Sequence, residues 1–179
     1  MYPYPRAIAR FFLARRKGKL DFYDAFVTHH RAWPWDTDIF GELNHGRILT
    51  LFELARWEMT TRMGMDHLVL KEGFGFAIAG TSVRYRRRIP TWSKYQVKTR
   101  FLGFDDRFFY INQSMWMGDQ PCHDALLRAA FMHGGKSVPA ADMAVKMGMA
   151  ESPPLPDWVT RWIEADAARP WPPDVKILP

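Results

Sequence analysis

A chain of 179 residues with 47% hydrophobic and 15% aromatic residues can bury one substantial core, and this excludes a disordered chain. Its one cysteine, Cys122, excludes an internal disulfide and fits a reducing compartment, so a cytoplasmic location is expected. The formal net charge of +6 permits anionic partners, but no zinc-finger spacing, Walker loop or GxGxxG occurs, so no nucleic-acid partner is expected.

The leader holds Arg6, Arg10, Arg15, Arg16, Lys17 and Lys19. Its apolar run Ala7–Ala14 is interrupted by Arg10 and followed by Arg-Arg-Lys, which is not a secretory signal pattern. Residues 6–17 read as a basic amphipathic helix with Ile8, Phe11 and Phe12 on one side, either packed on the protein's own body or docked on a membrane surface. Phe22–Trp33 is aromatic and β-branched enough for a strand, ended by Pro34.

The loop WDTDIFGELNHGR, residues 35–47, then gathers Asp36, Asp38, Gly41, Glu42, Asn44 and His45 in front of a long apolar segment. Ile48, Leu51, Phe52, Ala55 and Met59 recur at helical spacing up to Gly64, and Leu49, Leu54 and Trp57 widen the stripe. Thr50, Glu53, Arg56, Thr60 and Thr61 are left a narrow polar seam. A helix apolar around most of its circumference must be nearly surrounded by protein.

Strand patterns follow at 76–89, 95–104 and 108–116, the last two joined by a turn at Asp105-Asp106-Arg107. Residues 124–133 have the alanines and leucines of a helix, but their hairpin position and the Gly134-Gly135 stop favour a strand, which is expected there. Residues 137–148 and 157–168 read as short helices, and 170–179 as a proline-rich tail. A curved antiparallel sheet wrapped around one central helix satisfies this order of elements.

Asp38-x-x-Gly41-x-x-Asn44, followed by a helix carrying Glu53-x-Ala55-Arg56, resembles the hotdog-fold acyl-CoA thioesterases of the 4-hydroxybenzoyl-CoA thioesterase type. The resemblance covers roughly residues 22–135, and Val83–Ile89 is similar to the family's strand that returns to the sheet after the central helix. Glu42 stands where many relatives have His, and His45 where many have a second Asn. The resemblance implies an α+β hotdog fold for a domain at 21–136, and the basic leader at 1–20 and the helical, proline-rich extension at 137–179 fall outside the core family. It also implies an acyl-CoA or other acyl thioester substrate, a homodimer or dimer of dimers with sites at the subunit interface, and no metal or organic cofactor.

Thioester hydrolysis needs a carboxylate that attacks the carbonyl or activates water, and fixed donors for the charge developing on oxygen. The first N–H groups of a helix have no partner within it, and the dipole there favours negative charge. Asp38 is the candidate nucleophile or base, and the backbone N–H groups of Asn44, His45 and Gly46 are candidate oxyanion donors. Gly41 would let a substrate approach the backbone closely. The plain alternative for Asp38 is an Asx turn or helix cap. Glu53 is the second candidate carboxylate, with a buried ion pair to Arg56 or a strand arginine as its alternative. Asp36 caps or positions the loop, and the His45 side chain either orients substrate or water or is a satisfied first-turn group.

Arg84, Arg86, Arg87 and Arg88 are candidates for the phosphates of CoA, with Arg84, Arg86 and Arg88 on one face of a strand and Arg87 on the other. The alternative is a solvated sheet surface and an intersubunit contact. Two further readings have the same fold: a thioester-binding protein without hydrolysis, and a hydratase or dehydratase. The latter family pattern is Asp-x-x-x-x-His, and Asp38 and His45 are spaced too far apart for it.

Overall fold

The computed structural model describes residues 2–149 and 151–173. In chain order these form α1 (Tyr4–Arg15), β1 (Phe26–Arg31), α2 (His45–Arg62), α3 (Asp66–Leu70), β2 (Gly75–Tyr85), β3 (Lys94–Phe104), β4 (Phe109–Met117), β5 (Gln120–His133), β6 (Lys136–Val138), α4 (Ala140–Lys146) and α5 (Asp157–Ala167). The fold is a hotdog: an antiparallel sheet in the order β1-β3-β4-β5-β2, with α2 against one face.

Asn44 starts α2 by accepting hydrogen bonds from the backbone of Gly46 and Arg47 at its side-chain oxygen, which satisfies two of the helix's unpaired donors. Ile48, Leu51, Phe52, Leu54 and Ala55 are buried against Val97, Met115, Ala125 and Leu127 of the sheet. The far side of α2 is covered by α1, whose Ala14 is fully buried. This is why the helix tolerates so little polar surface. Glu58, absent from the polar seam read in the sequence, is buried on this covered side and ion-paired to both Arg10 and Lys17 of the leader, at 2.8 and 2.5 Å.

The helix expected at 6–17 is α1, and it packs on the protein's own body. Ile8, Phe11 and Phe12 do not share a side: Phe11 is half-buried, whereas Ile8 and Phe12 face outward.

Four other expectations change. The first strand begins at Phe26, because Asp21 holds residues 21–24 in a turn by accepting from Tyr23 N. The segment 124–133, by contrast, is the strand expected. The helix expected from Ser137 begins at Ala140. Gly134 and Gly135 do not simply stop β5. Both adopt positive φ (56° and 78°) and turn the chain back into β6, with Phe131 opposite Val138. The strand expected at 76–89 ends at Tyr85, so the alternation of Arg86, Arg87 and Arg88 between two faces does not hold. The N–H groups of Arg86 and Arg87 both turn onto the Cys122 carbonyl, and Ile89 is drawn into the core. Part of the proline-rich tail, 174–179, lies outside the described residues.

Candidate active site

The loop before α2 is a small hairpin. Leu43 bridges Thr37, Asp38 N donates to Glu42 O, and Asn44 N donates to Asp36 O at 3.0 Å. What holds this hairpin is Asp36. Its carboxylate is fully buried and ion-paired to Arg6 of α1 (2.8 Å) and Arg47 of α2 (2.7 Å). The expectation that Asp36 positions the loop thus gains a mechanism. A buried carboxylate between two guanidinium groups fastens the leader, the loop and the helix start at one point.

His30 joins the same cluster. Arg6 and Arg10 approach its Nδ1 at 3.4 and 3.1 Å, and both can only donate. Nδ1 is therefore the acceptor, and Nε2 carries the proton toward Thr28 Oγ1 at 2.7 Å. Burial, followed by the Arg10 and Arg6 charges, holds the His30 pKa well below the usual value.

Asp38 is half-buried, one hairpin pair beyond the helix start. Its Oδ1 accepts from Phe40 N at 2.9 Å, an Asx turn, and its Oδ2 has no partner among the described residues. Of the three expected oxyanion donors, two are engaged: Asn44 N by the Asp36 carbonyl and Gly46 N by the Asn44 side chain. The His45 N–H has no acceptor among the described residues. Gly41 has φ +70°, which the turn closing on the Asp38 carbonyl requires. A Cβ there would meet only Thr91 Oγ1 at an ordinary 3.8 Å, so it is the backbone conformation that demands glycine, not crowding.

His45 is exposed and meets the Tyr85 ring edge-on, at 6.3 Å. This brings the end of β2 to the start of α2. Arg84, Arg86, Arg87 and Arg88 are all exposed near that junction, and Arg87 donates to Gln120.

Glu53 lies elsewhere. Eight residues separate it from His45, about 12 Å along the helix axis. It sits on the wall of an apolar cavity of about 330 Å³ between α2, the sheet and the segment after α4, lined by groups such as Met59, Phe76, Phe109, Phe131 and Met149. The ion pair considered for Glu53 and Arg56 does not form. The Glu53 Oε1 accepts from Tyr2 (3.0 Å) and Trp57 (3.3 Å), whereas Arg56 donates to Gln113 Oε1 at 2.5 Å. Gln113, fully buried, spends its own donors on Phe52 O and Thr99 Oγ1. Desolvation lowers the Arg56 pKa to about 10, with the Glu53 charge acting in the opposite direction, so the guanidinium stays protonated at neutral pH. Burial, then the neighbouring Glu53, raises Tyr2 to about 12, which keeps its hydroxyl a donor.

Sequence reasoning missed the cavity, Tyr2, Gln113 and the buried Glu58. A leader with six cations and no acid is a signal that buried acids elsewhere need partners, but nothing local marks Tyr2 or Gln113. Among the described residues, no group of three or more His, Cys, Asp or Glu side chains is placed to hold a metal ion.

The capped helix start behind a carboxylate-bearing hairpin, most of the hotdog sheet and most of the apolar cavity wall along the same helix fall within one stretch that a known family shares. The chain belongs to the thioesterase-like superfamily, whose family model matches residues 32–163. It is similar to Protein THEM6 of Xenopus laevis, with 29% identity over 131 residues covering 73% of this chain. The match spans 63% of the length of that relative. Its fold is similar to that of a probable thioesterase from Bartonella henselae, with 22% identity, TM-score 0.60, and 65% of this chain and 98% of the other covered. It is also similar to that of a DHNA-CoA thioesterase from Staphylococcus aureus, with 19% identity, TM-score 0.58, and 86% and 99% covered.

Proposed function

We propose that the chain hydrolyses an acyl-CoA to free acid and CoA. The observation that carries this reading is the hairpin 36–44, which holds Asp38 just ahead of the start of α2, where, among the described residues, one Asp38 carboxylate oxygen and the His45 N–H have no partner. In this reading the His45 N–H and the helix dipole receive the carbonyl oxygen, and Asp38 attacks the carbonyl or takes a proton from water. The Asn44 side chain and Gly46 act indirectly, by fixing the first turn. The acyl group occupies the cavity beside Glu53, and Arg84, Arg86, Arg87 and Arg88 receive the CoA phosphates. Proteins of similar fold include a gentisyl-coenzyme A thioesterase and a 1,4-dihydroxy-2-naphthoyl-CoA thioesterase, which supports a CoA thioester as substrate class. The reaction so written calls for no metal and no organic cofactor.

The helix start and the cavity wall are two turns of α2 apart within one chain. We infer a homodimer, or a dimer of dimers, in which the helix start of one subunit meets the cavity of its partner. The outer edge of β2 is the surface this pairing would use, since β2 ends the sheet on that side. Sedimentation analysis tests the oligomeric state.

Thiol release from short, long and aromatic acyl-CoAs by wild type and Asp38→Asn tests the chemistry. Turnover by wild type, with most of it lost in a folded variant, is the expected result. If wild type binds acyl-CoA without releasing thiol, the protein is a thioester-binding member of the fold.

One observation favours a second assignment of the base: among the described residues, Glu53 is the only carboxylate on the cavity wall, and Tyr2 and Trp57 orient it. Glu53→Gln in the same assay separates the two carboxylates.

A further inference from the structure

Helix α1 turns Arg6 and Arg10 inward beside Ala7, Phe11 and Ala14, and leaves a row of large apolar side chains outward, where an ordinary surface helix is polar. Arg6 and Arg10 point at the body because Asp36 and Glu58, both nearly or fully buried, require cations there. The choice of inward face is thus made by two ion pairs, and it sets the apolar residues on the other side. Tyr4, Ile8 and Phe12 follow one another at four-residue steps, with Leu13 alongside, and are 65%, 56%, 59% and 55% exposed. Pro5 and Ala9 fill the gaps between them and are exposed too. The stripe runs the length of a 12-residue helix, about 18 Å.

Its C-terminal end is cationic. Arg15 and Lys17 are engaged with Asp66 and Glu58, but Arg16, which continues the stripe, and Lys19 have no partner among the described residues. Residues 1–20 contain no Asp or Glu.

We propose that α1 lies flat on an anionic lipid surface, with Tyr4, Ile8, Phe12 and Leu13 at the acyl boundary and Arg16 and Lys19 among the headgroups. An apolar stripe bordered by unpaired cations is the arrangement that binds such a surface, since burial of the stripe and attraction to anionic lipid add. A second copy of the chain fits less well. A stable protein interface takes about 20–30 residues a side, and this stripe offers a single row of large side chains whose unpaired cations find no acid on the same helix of a partner. The inference stands apart from the thioester chemistry, because none of these residues touches the hairpin 36–44 carboxylate, Glu53 or the cavity wall.

The test is co-sedimentation of the full chain with vesicles of phosphatidylcholine alone and of phosphatidylcholine with one-third phosphatidylglycerol. The protein is expected to pellet with the anionic vesicles and to be released by high salt. The Ile8→Ser/Phe12→Ser double variant is expected to bind them at least about tenfold more weakly. Arg16→Glu/Lys19→Glu is expected to lose about tenfold and to lose the preference for phosphatidylglycerol. All four side chains are exposed or unpaired, so thermal melts matching wild type verify that the fold is kept. No pelleting with either vesicle overturns the proposal, as does binding that both double variants leave unchanged. Light scattering without lipid supplies the remaining outcome: a self-associated species that Ile8→Ser/Phe12→Ser disperses assigns the stripe to a second copy and overturns lipid docking.

Discussion

Two stretches of the same helix bear carboxylate chemistry in opposite settings. At its first turn α2 is a polar junction, where Asp36, Arg6, Arg47 and Asn44 fix one another and hold the hairpin that carries Asp38. Two turns later the helix is one wall of an apolar cavity, and Glu53 is held there by two neutral donors. The first setting orders dipoles around a place where charge can develop. The second excludes water around a place where an acyl group can lie. One helix can supply both because α1 covers its outer side and leaves each stretch a different neighbour.

The largest effect expected from breaking this division is on turnover. Asp38→Asn should lower kcat by about a thousandfold at unchanged stability, the scale of losing a positioned base. Glu53→Gln should cost only about tenfold, mostly in KM, because it changes the cavity lip. Steady-state thiol release for both variants checks the ranking, and a Glu53→Gln loss larger than that of Asp38→Asn would move the base to the cavity. Next in size, Asp36→Ala leaves Arg6 and Arg47 without their buried counter-ion and should destabilise the fold by about 3–5 kcal/mol in a urea titration. A loss below about 1 kcal/mol would mean that both guanidinium groups reach water and that the junction is not what holds the loop.

His30 sharpens the comparison through pH. Its folded pKa is depressed, so below about pH 6.5 the unfolded chain takes up a proton that the folded chain resists. Stability should therefore be full above that pH and fall as pH drops toward the folded pKa, by at most about 1.4 kcal/mol per pH unit for this group. His123, whose pKa is also lowered by burial, adds a slope of the same sign. Urea midpoints at pH 7, 6 and 5 for wild type and His30→Gln should show a shallower fall in the variant. The smallest effect is Asn44→Ala, which removes the helix cap and should cost about 1 kcal/mol, with a disproportionate loss of kcat if the first turn orients the carbonyl.

How much of this was legible in the sequence follows from the range of each interaction. The long helix and the strands were readable because their signals, a 3.6-residue period and β-branched runs between turns, are local. The hairpin 36–44 was readable as a polar cluster at a helix start, but capping was read for Asp38 or Asp36, and it is Asn44 that caps α2. The ion pairs of Asp36 and Glu58 were not readable, because their partners Arg6 and Arg10 lie 30 and 48 residues away. Gly134-Gly135 was read as a stop because a double glycine marks a break without saying that the chain resumes pairing. The ambiguity at 124–133 has a similar origin: a strand buried on both faces shows alanine and leucine where an edge strand would show alternation. The cavity was illegible for a stronger reason. Its wall is assembled from residues as far apart as Phe22 and Met149, and no pattern in one segment encodes a space between several.

Five of the side chains around that space are thioethers: Met59, Met63, Met65, Met147 and Met149. Such a wall is pliable, since an unbranched side chain with three rotatable bonds reshapes around different guests. It is also open to chemical damage. Each sulfur that takes up an oxygen atom becomes a polar sulfoxide, and a reductase can remove that oxygen again. Peroxide would thus make the apolar wall along α2 polar while the distant Asp36 junction, which contains no sulfur, kept the loop and helix start in place.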